Sequence, residues 1–133
     1  MKNEQLILTK MDFAFLTGCY FSDNELSVFN MARLVYELRT AIIVPNECLP
    51  DDVVRTNSDV LVCNIKQSKI VNVHIAVGKR ASYTTASYLL NVALMGSQAG
   101  TIVEWEMNDG ITRLQIISVH QANAGAVINP FIA

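Results

Sequence analysis

Hydrophobic positions along the chain change their spacing at residues 49–58, which read LPDDVVRTNS and which we call the joint. Before the joint, apolar residues recur with the period of an amphipathic helix, and after it they alternate with polar residues, as in a half-buried strand. Pro45 and Pro50 cannot continue a helix, and each biases the preceding residue toward an extended conformation. The pattern therefore predicts a helical domain, residues 1–48, connected by a stiff joint to a β-rich domain, residues 49–133.

The helical domain is predicted to contain two helices, at about residues 10–17 and 23–43. Ser22 and Glu25 have the spacing of a capping box, in which each side chain satisfies a backbone N–H group at the start of a helix. Gly18 is a natural end for the first helix. Because the connection is short, we expect the two helices to form a short antiparallel hairpin.

The first helix has a weaker start signal of the same kind, since Asp12 follows Thr9 by three residues. The second helix carries apolar side chains at helical spacing, which predict one buried face that covers the first helix and the joint. The residues of this predicted face are Val28, Met31, Leu34, Val35, Leu38 and Ile42.

Two carboxylates, Asp23 and Glu25, lie at the predicted tip of the hairpin. Two carboxylates at an exposed turn could hold a hard divalent cation. Both also suit the first turn of a helix, where negative charge interacts favourably with the helix dipole, and the capping box already uses Glu25. The capping role is favoured, so we predict no metal site.

The β-rich domain is predicted to contain four strands and one helix. The segment Asn108-Asp109-Gly110 indicates a tight hairpin turn, because these residues tolerate positive φ angles. The order β-β-α-β-β predicts an α+β fold in which an antiparallel sheet wraps over a short helix. The predicted strands are residues 59–64, 70–77, 101–107 and 111–120, and the predicted helix is residues 87–96.

Net charge and hydropathy argue against functions that need direct binding to nucleic acid or to a membrane. The chain of 133 residues has a net charge of −2 and a pI near 5.6, which gives no basic surface for direct binding to nucleic acid or to an anionic membrane. No apolar run approaches the ~20 residues that span a bilayer. The start, MKNEQLILTK, has an apolar run too short for a signal peptide, so we expect a cytoplasmic protein.

Cysteine and histidine offer little chemistry in this sequence. Cys19, Cys48 and Cys63 are widely spaced and form no CxxC motif, so we expect reduced thiols. His74 falls on the wetter face of its strand, and His120 is the second of only two histidines. We therefore expect no metal, no cofactor and no catalytic residue.

Two runs of sequence resemble a known family. LPDDVVRTNSDVLV and SYLLNVALMGSQAGTIVEWEMNDG are similar to the carboxyl-terminal domain of the Gre transcript-cleavage factors, and closer still to their short relatives, the Rnk regulators of nucleoside diphosphate kinase. The Gre pattern is approximately S-P-I-A-x-A-L-I-G-x-x-x-G-D, followed by an apolar strand and a hairpin that contains glycine. The resemblance covers about residues 49–120. The residues that keep the pattern are Ser87, Leu90, Ala93, Leu94, Gly96 and Gly100.

This resemblance implies an FKBP-like fold for the β-rich domain and a coiled-coil hairpin in front of it. It further implies binding to bacterial RNA polymerase at the rim of the secondary channel, with the hairpin pointing inward. In that family the loop with the serine and the helix after it help to dock the domain on the polymerase. For Leu90 and Leu94, a plain place in the core between helix and sheet is the alternative. The docking candidates are Ser87, Tyr88, Leu89, Leu90, Asn91 and Leu94.

Several residues depart from the family pattern. Leu89 stands at the place of the proline and Thr101 at the place of the aspartate, while Asp23 and Glu25 do not match the D-x-x-E spacing of the acidic tip. Gre factors need a long hairpin with that tip to carry Mg²⁺ to the polymerase active site, and the predicted first helix is only about 12 Å long. We therefore expect a non-enzymatic regulator that does not stimulate transcript cleavage.

Two other functions remain open at this stage. The implied fold suggests a peptidyl-prolyl isomerase, whose site needs an apolar pocket with aromatic walls, and the domain before its apolar tail offers only Tyr83, Tyr88 and Trp105. A diverged interaction module that no longer binds polymerase is the other, motivated by the departures at Leu89 and Thr101. Its contact could be the apolar tail QANAGAVINPFIA, and self-association is open.

Overall fold

A computed structural model describes residues 5–22, 26–76, 85–108 and 110–121 of the chain. Within these residues the fold is α+β, as predicted, with an antiparallel sheet. The α-helices are α1 (Lys10–Ser22), α2 (Val28–Thr40) and α3 (Thr85–Leu94), and a 3₁₀ turn spans Asn46–Cys48. The strands are β1 (Ile7–Leu8), β2 (Ile42–Ile43), β3 (Ser58–Asn64), β4 (Lys69–His74), β5 (Ile102–Met107) and β6 (Gly110–Gln121).

The main sheet has the strand order β4-β3-β6-β5, and every neighbouring pair is antiparallel. Burial alternates along β3 and β5, so that one face is buried and holds Val60, Val62 and Trp105. No residue of β4 is buried. Helix α3 lies against β5 on this inner face. A bulge at Leu61/Val62 shifts the pairing of β3 with β6. The alternating pattern that predicted these strands thus marks the face that the helix covers.

Helix α1 is longer than predicted. It begins at Lys10, where the backbone N–H of Asp12 donates to Thr9 Oγ1 at 3.2 Å, but it continues through Gly18 to Ser22. Gly18 does not have the positive φ of a terminating glycine. A glycine inside a helix costs only about 1 kcal/mol relative to alanine, and burial of Leu16 outweighs that cost.

Helix α2 is shorter than predicted, and the capping box at Ser22 and Glu25 does not start it. Ser22 is the last residue of α1, and Ser27 is the N-cap of α2, since its Oγ accepts from the backbone N–H of Asn30 at 3.1 Å. The helix ends at Thr40, because the following residues form β2, which pairs in parallel with β1. Both helices have 13 residues, about 20 Å at 1.5 Å per residue. The predicted length of about 12 Å for the first helix was therefore wrong.

The buried face of α2 also differs from the prediction. Its buried residues are Asn30, Leu34 and Glu37, whereas Val28 is 88% exposed and Ile42 lies on β2. Of the predicted face only Leu34 is fully buried, and Met31 and Leu38 pack against the core at its edge. The helix is therefore rotated so that two polar residues point inward.

Asn30 explains this rotation. Its Nδ2 donates to the backbone carbonyl of Glu106 at 2.9 Å, and its Oδ1 accepts from the backbone N–H of Glu106 at 2.7 Å. Strand β5 is at the edge of the sheet, so Glu106 has no strand partner on that side. The amide of Asn30 therefore takes the place of a neighbouring strand, and it fixes the start of α2 to the sheet. We call this pair of hydrogen bonds the Asn30 clamp.

The second buried polar residue, Glu37, has its own partner on the helix. Arg33 Nη2 lies 2.9 Å from Glu37 Oε2, one helical turn away, and both side chains are largely covered. A buried carboxylate needs such a partner, because an unpaired buried charge is costly. The ion pair therefore allows α2 to turn Asn30 toward the sheet without burying an unpaired carboxylate at Glu37.

The N-terminal strand lies against the segment after α3. Ile7 donates its backbone N–H to the carbonyl of Gly96 at 3.0 Å, and Gly96 donates to the carbonyl of Val54 at 2.8 Å. Gly96 has φ +86°, and a Cβ atom there would lie 2.7 Å from Leu8 Cδ2. Glycine is thus required both by the backbone and by the approach of β1.

The joint is packed on several sides. Val53 and Val54 are fully buried, and Gln121 Nε2 donates to the carbonyls of Pro50 at 2.9 Å and Val53 at 2.8 Å. The predicted helical and β-rich segments share one hydrophobic core. The division into two domains at residue 48 and the antiparallel course of the helical hairpin stay predictions.

Replacing Asn30 by alanine should destabilise the protein. The change removes both hydrogen bonds and leaves the N–H and C=O of Glu106 unsatisfied, which should lower the free energy of unfolding by about 2–4 kcal/mol. Urea denaturation measures it. The matched control is Asn72→Ala on the exposed face of β4, which should change stability by less than about 0.5 kcal/mol. Equal effects of the two substitutions would contradict the clamp.

Two glycine-to-alanine substitutions should have opposite effects. Gly96→Ala should lower the unfolding free energy by at least about 2 kcal/mol, because the new Cβ meets Leu8 and the φ is positive. Gly18→Ala should raise it by about 0.5–1 kcal/mol, since nothing lies within 4 Å of the added Cβ and alanine favours a helix. Thermal and urea melts distinguish them. A stabilised Gly96→Ala protein would show that the contact with β1 is wrong.

Candidate partner-docking site

Helix α3 carries the predicted docking residues. It begins two residues before the predicted start, and it ends at Leu94, two residues before the predicted terminal glycine, Gly96. Asn91 Nδ2 donates to the backbone carbonyl of Ala76 at 2.9 Å, which ties α3 to the residues that follow β4. The helix is thus held firmly over the inner face of the sheet.

The structure places most of the docking candidates in the core. Tyr88, Leu89, Asn91 and Leu94 are all less than 7% exposed. Leu94 therefore lies in the core, which was the alternative to a docking role for this residue. The side chain of Ser87, in the first turn of α3, lies outside what the structure describes. Among the candidates whose side chains are described, Leu90 is the one that is partly exposed to solvent.

Leu90 borders a cleft between α3 and the end of the sheet, near the turn that joins β3 to β4. The cleft has a volume of about 280 Å³. Its floor is apolar and its rim is polar, with one positive charge. The floor is formed by Val62, Val71, Leu90, Met107 and Leu114, and the rim by Asn64, Gln67, Lys69 and Thr112.

The lining of this cleft has no aromatic side chain among the residues described. Tyr88 and Trp105 are buried, and Tyr83 lies outside the described residues. A peptidyl-prolyl isomerase site needs an apolar pocket with aromatic walls. The cleft is therefore suited to receive a small apolar side chain of a partner, and it does not support the isomerase alternative.

The two histidines flank the same aspartate on neighbouring strands. The sequence alone did not reveal this arrangement. On the outer face of the sheet His74 and His120 lie directly opposite Asp59 on either side, and His74 Nδ1 is 2.9 Å from Asp59 Oδ1. The group is exposed, as the prediction for His74 required. Only the strand register brings these residues together.

The remaining residues that were considered for metal or redox chemistry are carboxylates, histidines and cysteines. Within the described ranges no group of three or more histidine, cysteine, aspartate or glutamate side chains could hold a metal ion. Cys19 is buried, Cys63 is partly buried and Cys48 is exposed. Asp23 and Glu25 lie outside the described residues, so the cation hypothesis stays untested. No described helix is both long enough and apolar enough to cross a membrane.

Comparison with known proteins indicates the fold. No protein-family model matches the chain, and no curated protein sequence matches it either. A solved structure of the prokaryotic transcription elongation factor GreA/GreB from Nitrosomonas europaea matches with a TM-score of 0.60 and 22% identity, and covers 89% of this chain and 99% of that chain. Gfh1 of Thermus thermophilus has a TM-score of 0.41 and 12% identity, with 88% and 99% covered, and Gfh1 of Thermus aquaticus has 0.42 and 13%, with 89% and 99% covered. The last two scores are too low to indicate a common fold. The match to GreA/GreB shows that the chain has a Gre-like fold.

Proposed function

We propose that this protein binds bacterial RNA polymerase and regulates transcription as a non-enzymatic factor of the Rnk/Gre-like class. The observation that carries the proposal is the similarity in fold to GreA/GreB, which extends over 89% of the chain and so includes the helices in front of the sheet. The sequence runs around the joint and α3 resemble the same family. The weak negative charge of −2 favours a protein partner over direct binding to nucleic acid.

The proposed contact surface is the exposed side of Leu90 with the cleft beside it. An apolar floor with a polar rim is typical of a protein interface, where an apolar anchor fills a pocket and polar groups surround it. Lys69 gives the rim a positive charge, which suits an acidic residue next to the anchor of the partner. Tyr88, Leu89, Asn91 and Leu94 are buried and would act by holding α3 in place. Ser87 remains a docking candidate by resemblance.

We further propose that the protein does not stimulate transcript cleavage. Cleavage in the Gre family depends on a hairpin that carries its acidic tip far from the docking domain. Here α2 is only about 20 Å long by its 13 residues. The Asn30 clamp lies in the first turn of α2, so the start of this helix is fixed to the end of β5. A regulator that occupies the rim of the channel, and competes with Gre factors there, fits this geometry.

The proposal is tested by co-migration with bacterial core polymerase in gel filtration at micromolar concentration. The wild-type protein should co-migrate, and Leu90→Lys should weaken binding about tenfold, because a charge replaces the apolar contact. The control is Ile111→Lys, a similar change at an exposed position on the outer face of the sheet, which should bind normally. Circular dichroism checks that both variants fold.

Cleavage assays on stalled polymerase complete the test. The protein alone should leave the nascent transcript intact, and in excess it should slow the cleavage stimulated by a genuine Gre factor. Absence of co-migration by the folded wild-type protein would falsify polymerase binding. Cleavage stimulated by this protein would contradict only the claim that it lacks that activity.

A further inference from the structure

Helix α2 presents an apolar surface to solvent on the side away from the sheet. Val28 is 88% exposed and Tyr36 is 62% exposed. Together with their neighbours they line a shallow groove of about 460 Å³, which Tyr20 of α1 borders. We call this surface the α2 stripe, and its residues are Val28, Met31, Ala32, Val35, Tyr36 and Arg39.

This arrangement inverts the usual order of an amphipathic helix. The polar residues Asn30 and Glu37 point into the protein, whereas Val28 and Tyr36 of the stripe are exposed and Met31 lies at the edge of the core. An amphipathic helix ordinarily buries its apolar side. A contiguous apolar surface on a folded protein commonly marks an interface. The stripe therefore needs a partner outside the described fold.

We propose that the partner is a second copy of this chain, whose α2 packs antiparallel against the first across a two-fold axis. In a two-fold interface, residue i of one copy contacts residue j of the other, and j contacts i. With the axis placed between Arg33 and Leu34, the stripe maps onto itself when its direction is reversed. Val28 then lies opposite Arg39, Met31 opposite Tyr36, and Ala32 opposite Val35.

The sizes of the paired side chains fit this arrangement. The small Ala32 lies opposite the larger Val35 near the axis, which allows the helices to approach to the usual 8–10 Å or so between axes. The large Tyr36 lies opposite the flexible Met31, which adapts to irregular gaps. Each copy thus supplies both the protruding and the receiving side chains.

The charges favour the antiparallel direction. Arg33 and Glu37 neutralise each other at 2.9 Å beside the stripe, and Arg39 is the one charged residue of the stripe itself. A parallel pair would place two Arg39 side chains together, and like charges repel. In the antiparallel pair they lie at opposite ends, and each can cover Val28 of the partner with its aliphatic stem.

The small size of the stripe limits the affinity of the association. Seven residues on each side, with Tyr20 included, are far fewer than the roughly 20–30 of a standard stable interface. We therefore expect a weak dimer with a dissociation constant on the order of 100 µM. The inference does not depend on polymerase binding, since it uses only the stripe and Tyr20.

Sedimentation equilibrium over a range from micromolar to millimolar protein tests self-association. The mass should rise from 14.7 kDa toward twice that value. Tyr36→Glu should weaken the dimer about tenfold or more, because it places a carboxylate in each half of the apolar contact. The control is Met11→Glu, which changes an equally exposed apolar residue on α1 and should leave the dimer unchanged.

Cysteine cross-linking tests the geometry. In a Cys48→Ser background, a mixture of the Ala32→Cys and Val35→Cys proteins should form a disulfide dimer faster than Val28→Cys does alone. The opposite order would indicate a parallel pair and would overturn the proposal.

Three further results would each reject it. The first is a monomer at all concentrations. If Tyr36→Glu then also loses polymerase binding, the stripe would be assigned to the polymerase. The second is a dimer that Tyr36→Glu leaves intact. The third is a dimer that disappears only on removal of residues 122–133, which would assign the contact to the tail.

Discussion

The pair of hydrogen bonds between the side-chain amide of Asn30 and the backbone of Glu106 determines how the helices sit on the sheet. An edge strand exposes N–H and C=O groups that need partners, and here a single carboxamide satisfies both groups of one residue. Its geometry requires that side of α2 to face the sheet. That orientation places Leu34 in the core, requires a partner for Glu37, and turns Val28 and Tyr36 outward.

The same interaction connects the fold to the proposed function. Because the clamp lies at the start of α2, it fixes this end of the helix to the edge of the sheet. The chain has a Gre-like fold, and the clamp supports the proposal that it does not stimulate transcript cleavage. We propose different partners for the contact at Leu90 and for the stripe on α2, namely the polymerase and a second copy of this chain.

The sequence predicted some parts of this structure well, and the reason is physical. Alternation along a strand is local, so the strands could be predicted from neighbouring residues. Helix ends could not, because the local signal at Ser22 and Glu25 predicts one start for α2, whereas its packing places the N-cap at Ser27. The burial of Asn30 depends on a partner 76 residues away in the sequence, and no periodic pattern encodes it. At the candidate site, the sequence and the resemblance nominated α3, but which of its side chains reach the surface follows from its rotation against β5.

Hydrogen exchange at the backbone amide of Glu106 tests the clamp most directly. This amide faces the open edge of the sheet, where an amide without a partner exchanges with solvent rapidly. With the clamp in place, Glu106 should exchange only when the protein opens, at a free energy close to that of the amides in the central strand β3. Exchange of Glu106 at the rate of an unprotected edge amide would contradict the clamp and the orientation of α2 that depends on it.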